Sequence, residues 1–213
     1  FSEDGVKEVL KTLIIPLWNA YSFFVTYANI DNYEVSTTDF EKLENPMDRW
    51  IVSLSESLVQ EVTQAWDAYE TQKGTSAIVS FIDSLNNWYI RRSRRRFWRS
   101  ENDVDKKQAY DTLYKVLQTV IAVAAPVIPF TTEEIYRNLR TEEMVESIHL
   151  TDFPLYVEKQ RDVKLEKQMA ITRQAITMGR SLRSIHNLKI RQPLSTLYLV
   201  TIDDNEREIL SSM

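Results

Sequence analysis

Apolar positions along the first half of the chain recur with the spacing of buried helix faces. Over residues 3–28 they return every three or four residues, which predicts a helix with a broad buried stripe. Pro16 lies inside this stretch, and because proline lacks an amide hydrogen it predicts a kink or a division of the helix. Polar residues 29–45 predict a long surface loop. Asn45 and Pro46 then predict a helix start, since Asn caps free amides and proline is tolerated at the first helical position.

The second helix is predicted to end at Gly74, which marks a turn, and a third helix begins at Thr75 or Ser76. Continued at helical spacing, the apolar face of the third helix meets Arg92 and Arg96, so the buried stripe leads into a basic end. The apolar residues of that face are Ile78, Phe81, Ile82, Leu85, Trp88 and Tyr89.

A fourth helix is predicted from Asp103 or Asp105, and the two prolines Pro126 and Pro129 stop it. A fifth, shorter helix follows from residues 131–132, where threonine caps precede acids in the first turn. Five helices that are apolar along one side and mostly joined by short connections predict an all-α fold, an antiparallel helix bundle.

The C-terminal part has a different pattern. A helix is predicted over about 161–186, and residues 196–202 are rich in β-branched and aromatic side chains, which predicts a strand. A single strand is unstable in water, so we expect its sheet partners to lie outside this sequence. We therefore interpret 1–160 as a helical-bundle domain and 161–213 as the truncated start of a small α+β C-terminal domain.

Composition limits the class of protein. With 43% hydrophobic residues and three Gly among 213 residues, the chain can bury a core. The absence of Cys excludes disulfides and thiolate metal sites and fits a reducing compartment. We predict no metal site, since His149 and His186 fit ordinary polar roles. No uninterrupted apolar run approaches the roughly 18–20 residues of a membrane span, so no membrane partner is predicted. Phe1 in place of Met suggests a piece of a larger protein.

The strongest chemical signal is the segment 88–99, which holds six arginines and no acid. The whole chain has 26 Lys and Arg against 31 Asp and Glu, so outside this segment 20 basic residues face 31 acidic ones, a net charge of −11. Arginine forks suit phosphates, and flat rings suit unstacked bases. We therefore predict binding to a single-stranded RNA loop above a stem, and not to DNA. Because six arginines cannot all face one groove of a helix, we expect three or four to bind.

Other interpretations of these residues stay open. A charged run is often a solvated helix end, or it holds an acidic protein partner. Trp88 lies on the core stripe, so packing fits it as well as base stacking. Asn19 stands inside an apolar helix, either as a satisfied buried amide or as an amide aimed at a base edge. The basic segment 179–191 fits a solvated helix end better than a binding site.

Catalysis finds little support in the residues. The sequence has no glycine-rich phosphate loop, no Gly-x-Ser-x-Gly motif, no Cys nucleophile and no paired-histidine spacing. We therefore predict no catalytic residue and no cofactor site in this chain.

Several segments resemble the anticodon-binding helical bundle of the class I aminoacyl-tRNA synthetases. The sequence at 13–24 is similar to the first helix of that bundle, and AAPVIPFTTE at 124–133 is similar to its Pro-x-x-Pro-Phe hallmark. The segment NWYIRRSRRRFW at 87–98 resembles the isoleucyl branch specifically. Further similar segments are 48–51, 179–183 and 189–194.

This resemblance implies a part of the enzyme that joins isoleucine to its tRNA using ATP. The implied partner is the anticodon stem-loop of isoleucine tRNA. The catalytic part, which uses ATP and Mg, would lie elsewhere in the same parent chain, because the nucleotide-binding signatures and the editing insertion are absent here. The implied location is cytoplasmic. The alternatives are a valyl- or methionyl-type relative and a helical protein-interaction module with a basic tip.

The resemblance also implies site residues. In the methionyl branch a first-helix Asn and a Trp that ends a middle helix contact the anticodon, and Asn19 and Trp88 stand at matching positions. The predicted tRNA-binding residues are Asn19, Trp88, Arg91, Arg92, Arg94, Arg95, Arg96, Trp98 and Arg99.

Overall fold

The computed structural model of the chain describes residues 2–36, 38–98, 103–201 and 203–212. The chain divides into two compact units, Phe1–Arg161 and Asp162–Met213. The described residues form helices, turns and loops but no strand, which confirms the all-α prediction.

The first unit is a helical bundle around a central helix, α3. This helix packs most extensively against α4 and α6, and its residues Trp50, Ile51 and Val62 are buried between them. The helices of the unit are α1 (Glu3–Val9), α2 (Ile15–Asp31), α3 (Pro46–Asp67), α4 (Thr71–Ser84), α5 (Arg91–Trp98), α6 (Val104–Ala124) and α7 (Pro129–Leu139). Short 3₁₀ turns at Ile148–Leu150 and Glu158–Gln160 follow α7.

Two turns of π-helix join consecutive α-helices into longer continuous helices. Leu10–Ile14 joins α1 to α2, and Leu85–Ile90 joins α4 to α5. In the first of these turns the amide of Ile15 donates to the carbonyl of Leu10, five residues back. Pro16 follows directly, so the wider turn accommodates the residue that has no amide hydrogen to donate.

The segment Glu3–Asp31 is long and apolar enough to cross a membrane by length and composition alone. In the structure Leu17, Ala20 and Phe24 of this segment are buried in the bundle. The predicted buried stripe is therefore confirmed within α2, but it is wrong at Val6, Val9 and Leu10, whose side chains are exposed.

Two of the predicted helix starts are confirmed in atomic detail. Asn45 caps α3 by accepting from the amide of Met47 at 2.9 Å, and Asp103 caps α6 by accepting from the amide of Lys106 at 2.8 Å. The fifth helix starts at Pro129, two residues before the predicted threonine cap. Proline itself takes the first helical position there, because its missing amide hydrogen is not needed at that point.

The predicted break at Gly74 is wrong. Gly74 lies inside α4 and is buried, while the turn between α3 and α4 falls at Ala68–Glu70, where Tyr69 has a positive φ of 60°. A Cβ on Gly74 would lie 2.7 Å from Cδ1 of Trp66 and still closer to Nε1. The glycine therefore serves the close approach of α4 to a ring of α3 and does not end a helix.

The second unit contains helices α8 (Val163–Ile185) and α9 (Asp204–Ser212). The predicted strand at 196–202 is not formed: residues 196–201 have no regular secondary structure, and Ile202 lies outside the described residues. Strand backbone is stable only when a neighbouring strand pairs with it, and no strand occurs elsewhere in the part of the chain that the structure describes.

Candidate nucleic-acid interface

Helix α5 carries five arginines, and a buried cluster of charged and polar groups fixes it to the bundle. The guanidinium of Arg96 donates through both terminal nitrogens to the carboxylate of Asp48, each at 2.7 Å. Its Nε donates to Asp105 at 3.1 Å. The hydroxyl of Tyr89 donates to Asp48 at 2.7 Å. This Asp48 cluster (Asp48, Tyr89, Arg96 and Asp105) joins the first turns of α3 and α6 to the basic helix.

Burial and pairing set the protonation states in the Asp48 cluster. Burial lowers the pKa of the Arg96 guanidinium, but the hydrogen bonds and charge of Asp48, together with Asp105, more than offset this and leave the pKa above its ordinary value. Burial, followed by the charge of Asp48, raises the pKa of Tyr89 well above its ordinary value. Arg96 is therefore a fixed cation and Tyr89 a fixed neutral donor, and the guanidinium of Arg96 is taken up by carboxylates.

The other four arginines of α5 are exposed and form its outer surface: Arg91, Arg92, Arg94 and Arg95. The guanidinium of Arg92 lies 5.0 Å from the ring centre of Trp88, and that of Arg94 lies 6.0 Å from the ring centre of Phe23. These cation–π contacts hold two of the guanidiniums against aromatic rings and leave their edges open to solvent. Arg99 lies outside the described residues.

The predicted aromatic residues have unequal exposure. Trp88 is 9% exposed and packs as part of the core, with Arg92 over its ring. Trp98 is 55% exposed, and its indole nitrogen donates to the hydroxyl of Tyr27 on α2 at 2.6 Å. Of the two rings, Trp98 has a surface that a base could stack on.

An open groove of about 740 Å³ runs between α2 and the end of the long helix that continues into α5. It brings together three of the predicted residues, Asn19 from α2 and Arg91 and Arg94 from α5. The further lining residues are Pro16, Ser22, Phe23, Thr26, Tyr27, Asn86, Asn87 and Ile90. We call this surface the α2–α5 groove. Its amides, hydroxyls and guanidiniums suit a polar, anionic ligand with flat rings.

Sequence reasoning missed the hydroxyl side of the groove. Ser22 and Thr26 follow Asn19 at helical spacing along α2, so they share its face. This polar stripe on an otherwise apolar helix is the signal that could have identified them. Arg92, Arg95, Trp88 and Trp98, in contrast, are not among the residues that line the groove.

The basic segment 179–191 of the second unit has a local structural role. One terminal nitrogen of Arg183 donates to the carbonyl of Lys189 at 2.8 Å and to that of Gln192 at 2.8 Å. This arginine therefore fixes the backbone that follows α8. Over the residues that the structure describes, no group of three or more His, Asp or Glu side chains is arranged to hold a metal ion.

Comparison with known proteins assigns the chain to a family. The family described as the anticodon-binding domain of tRNA ligase matches residues 48–198. The isoleucine–tRNA ligase of Treponema denticola is 51% identical over 225 residues, which cover 100% of this chain and 20% of that protein. The enzyme of the same name from Treponema pallidum strain Nichols is 48% identical over 225 residues, covering 100% of this chain and 21% of its own length.

A third relative, the isoleucine–tRNA ligase of Protochlamydia amoebophila, is 45% identical over 210 residues, which cover 99% of this chain and 20% of that protein. The chain therefore spans about a fifth of the length of these relatives. The resemblance stated from the sequence is confirmed, and this chain belongs to the family of the anticodon-binding domain of tRNA ligases.

Proposed function

We propose that this chain recognises the anticodon stem-loop of isoleucine tRNA as a part of an isoleucine–tRNA ligase. The family match supports binding to tRNA, and the relatives that share 45–51% identity with the chain are isoleucine–tRNA ligases. In this proposal residues 1–160 are the anticodon-binding bundle, and 161–213 begin a C-terminal junction domain. The joining of isoleucine to tRNA with ATP and Mg would belong to other parts of the parent protein, in the cytoplasm.

The observation that carries the proposal is the α2–α5 groove. Asn19 meets Arg91 and Arg94 there although it lies about 70 residues before them in sequence. Guanidiniums neutralise phosphates, while an amide can donate to and accept from a base edge. In a single-stranded loop the bases are unstacked and reachable, which suits a groove with both kinds of group.

The structure changes the roles that we propose for the predicted residues. Arg91 and Arg94 would contact phosphates or base edges in the groove, with Asn19 beside them. Arg92, Arg95 and Trp98 would add charge and a stacking surface at its margin. We assign Arg96 and Trp88 to support of this surface, since Arg96 is paired with carboxylates and Trp88 is largely buried. Arg99 lies outside the described residues, and we propose from the sequence alone that it contacts tRNA.

Removal of two groove arginines tests this proposal. In the full 213-residue chain, Arg91→Ala with Arg94→Ala should weaken binding of an isoleucine-tRNA anticodon hairpin at least about tenfold. The slope of log affinity against log salt should fall by roughly 0.7 for each lost phosphate contact. Fluorescence anisotropy over a salt series measures both quantities.

The matched control is Arg137→Ala with Arg140→Ala, which removes the same charge from exposed positions at the C-terminal end of α7. If both double variants lose affinity equally, general charge attraction explains the binding and the groove assignment fails. If an acidic peptide displaces the hairpin at comparable concentration, the chain is a protein-interaction module with a basic tip and not a tRNA-recognition domain.

A further inference from the structure

The base of the α2–α5 groove contains an amide that links two helices. The side-chain nitrogen of Asn86 donates to the carbonyl of Pro16 on α2 at 3.0 Å and to the carbonyl of Ile82, four residues back in its own helix, at 3.0 Å. Both Asn86 and Pro16 line the groove. Both of the side chain's N–H groups are therefore used, one within the helix and one across to its neighbour.

Asn86 stands inside the π-turn Leu85–Ile90, which immediately precedes the groove arginines. The amide of Arg91 donates to the carbonyl of Asn86, five residues back, as the wider turn requires. A π-turn is rare because its hydrogen-bond register is less favourable than that of an α-helix, and where it occurs it is frequently at a functional site.

The side chains of α5 divide into a buried set and an exposed set. In a regular helix the buried stripe of α4 continues to Arg92, but in the structure Arg92 is exposed and Ser93 takes the buried position. Arg96, the other arginine predicted on this stripe, is buried, so the stripe is confirmed at Arg96 and wrong at Arg92. Arg91 and Arg94, on the exposed side of α5, line the groove together with Asn19 of α2.

We propose that Asn86 is the positioning residue of the RNA site: its two hydrogen bonds hold the π-turn against α2 and so keep Arg91 and Arg94 directed into the groove. The inference rests on the function proposed above and adds a residue that acts through the arginines. The Asp48 cluster fixes the far end of α5 through Arg96, while Asn86 fixes the near end. Between these two points the repelling guanidiniums are held in place before RNA arrives, which lowers the entropic cost of binding.

Asn86→Ala tests this role in the full chain. We expect affinity for the isoleucine-tRNA anticodon hairpin to fall roughly three- to tenfold. The reason is that the variant loses the hydrogen bonds that hold the arginines in place before RNA binds. The salt slope should fall as well, because misdirected arginines contact fewer phosphates. Hydrogen–deuterium exchange over 88–95 should become faster, since the amide of Arg91 is bonded within the π-turn.

The matched control is Asn138→Ala. Asn138 is exposed and makes the same kind of bond, from its side-chain nitrogen to the carbonyl of Glu134 four residues back, at 2.8 Å. Asn86→Ser is the second variant, and it covers the case in which Asn86→Ala fails to fold. Its hydroxyl can still donate to the carbonyl of Ile82 but cannot reach Pro16, so it should fold and should still lose RNA affinity.

All measurements are made at a temperature where circular dichroism shows each variant to be folded. If the Asn86 variants bind the hairpin with the affinity and salt slope of the unchanged chain while Arg91→Ala with Arg94→Ala weakens binding, the positioning role is refuted and the proposed function stands. If the arginine double variant itself binds like the unchanged chain, the proposed function fails, and this inference fails with it.

Discussion

The arginines of α5 illustrate how neighbouring residues of one type take different roles. Arg95 is exposed, whereas Arg96 is 8% exposed and donates to two carboxylates and to the carbonyl of Asp105. A guanidinium cannot lose its proton in a protein, so a buried arginine must be paired. The position of Arg96 beside Asp48 decides its role, and the basic composition of the segment does not.

Removal of Asp48 should therefore be strongly destabilising. In Asp48→Ala the guanidinium of Arg96 loses its bidentate partner, and the hydroxyl of Tyr89 loses the nearer of its two acceptors, with the carbonyl of Ala109 left at 3.4 Å. We therefore expect a loss of about 3–5 kcal/mol in the free energy of unfolding. Urea denaturation followed by circular dichroism measures this loss. Arg95→Ala is the control and should have little effect on stability. A loss below about 1 kcal/mol for Asp48→Ala would show that the cluster does not hold α5 in place.

At the scale of helices, the α3–α4 pair depends on a residue that has no side chain. Gly74 is an unfavourable residue for a helix interior, by about 1 kcal/mol relative to Ala. It is tolerated because Trp66 of α3 occupies the space where a Cβ would lie. The ring of Trp66 also packs near Phe153, with ring centres 6.0 Å apart, so it is not free to move away without cost.

This contact predicts that the effect of Gly74→Ala on stability changes sign when Trp66 is replaced by a smaller side chain. Gly74→Ala should destabilise the chain by about 1–3 kcal/mol, because overpacking outweighs the gain in helix propensity. In a Trp66→Leu background the collision is removed, and the same substitution should be neutral or stabilising by up to about 1 kcal/mol. Thermal or urea unfolding of the four chains measures the coupling. Equal effects of Gly74→Ala in both backgrounds would contradict the close approach of α4 to Trp66.

Helices whose position depends on apolar spacing and on capping side chains were predictable from the sequence. Apolar spacing gave the main helices, and the side chains of Asn45 and Asp103 marked two helix starts. Gly74 was misinterpreted because a glycine needed for close packing looks the same in sequence as one that ends a helix. The π-turn at Leu85–Ile90 was not predicted, and of the two arginines predicted on the buried stripe Arg96 is buried and Arg92 is exposed.

The candidate site was predictable only in part, for a related reason. The arginine segment and Asn19 were identifiable by type, and the helical spacing of α2 could have added Ser22 and Thr26. Contacts between residues far apart in sequence decide which arginines face the groove and which are paired inside the protein. Arg96 is paired with Asp48, which lies 48 residues earlier, and Asn86 bonds to Pro16, which lies 70 residues earlier. Neither partner can be assigned from local pattern.

At the scale of the whole molecule, charge limits what the basic segment can bind. The chain has a net charge of −5, and outside 88–99 the balance is 20 basic against 31 acidic residues. Outside 88–99 the composition therefore supplies no net positive charge to a polyanion that extends beyond the α2–α5 groove. Attraction is confined to a short stretch of phosphates, which suits a compact loop better than a long duplex.

This charge distribution predicts selectivity in a competition experiment. Against a labelled isoleucine-tRNA anticodon hairpin, unlabelled hairpin of the same sequence should compete best, and duplex DNA of equal phosphate content should compete poorly. The valine and methionine hairpins share the backbone and differ in their loop bases, so their rank separates contacts with phosphates from contacts with bases. If the three hairpins compete equally but DNA does not, the groove distinguishes the shape of the loop alone. Equal competition by DNA would contradict localised recognition, because only the general attraction of arginines for phosphate would then remain.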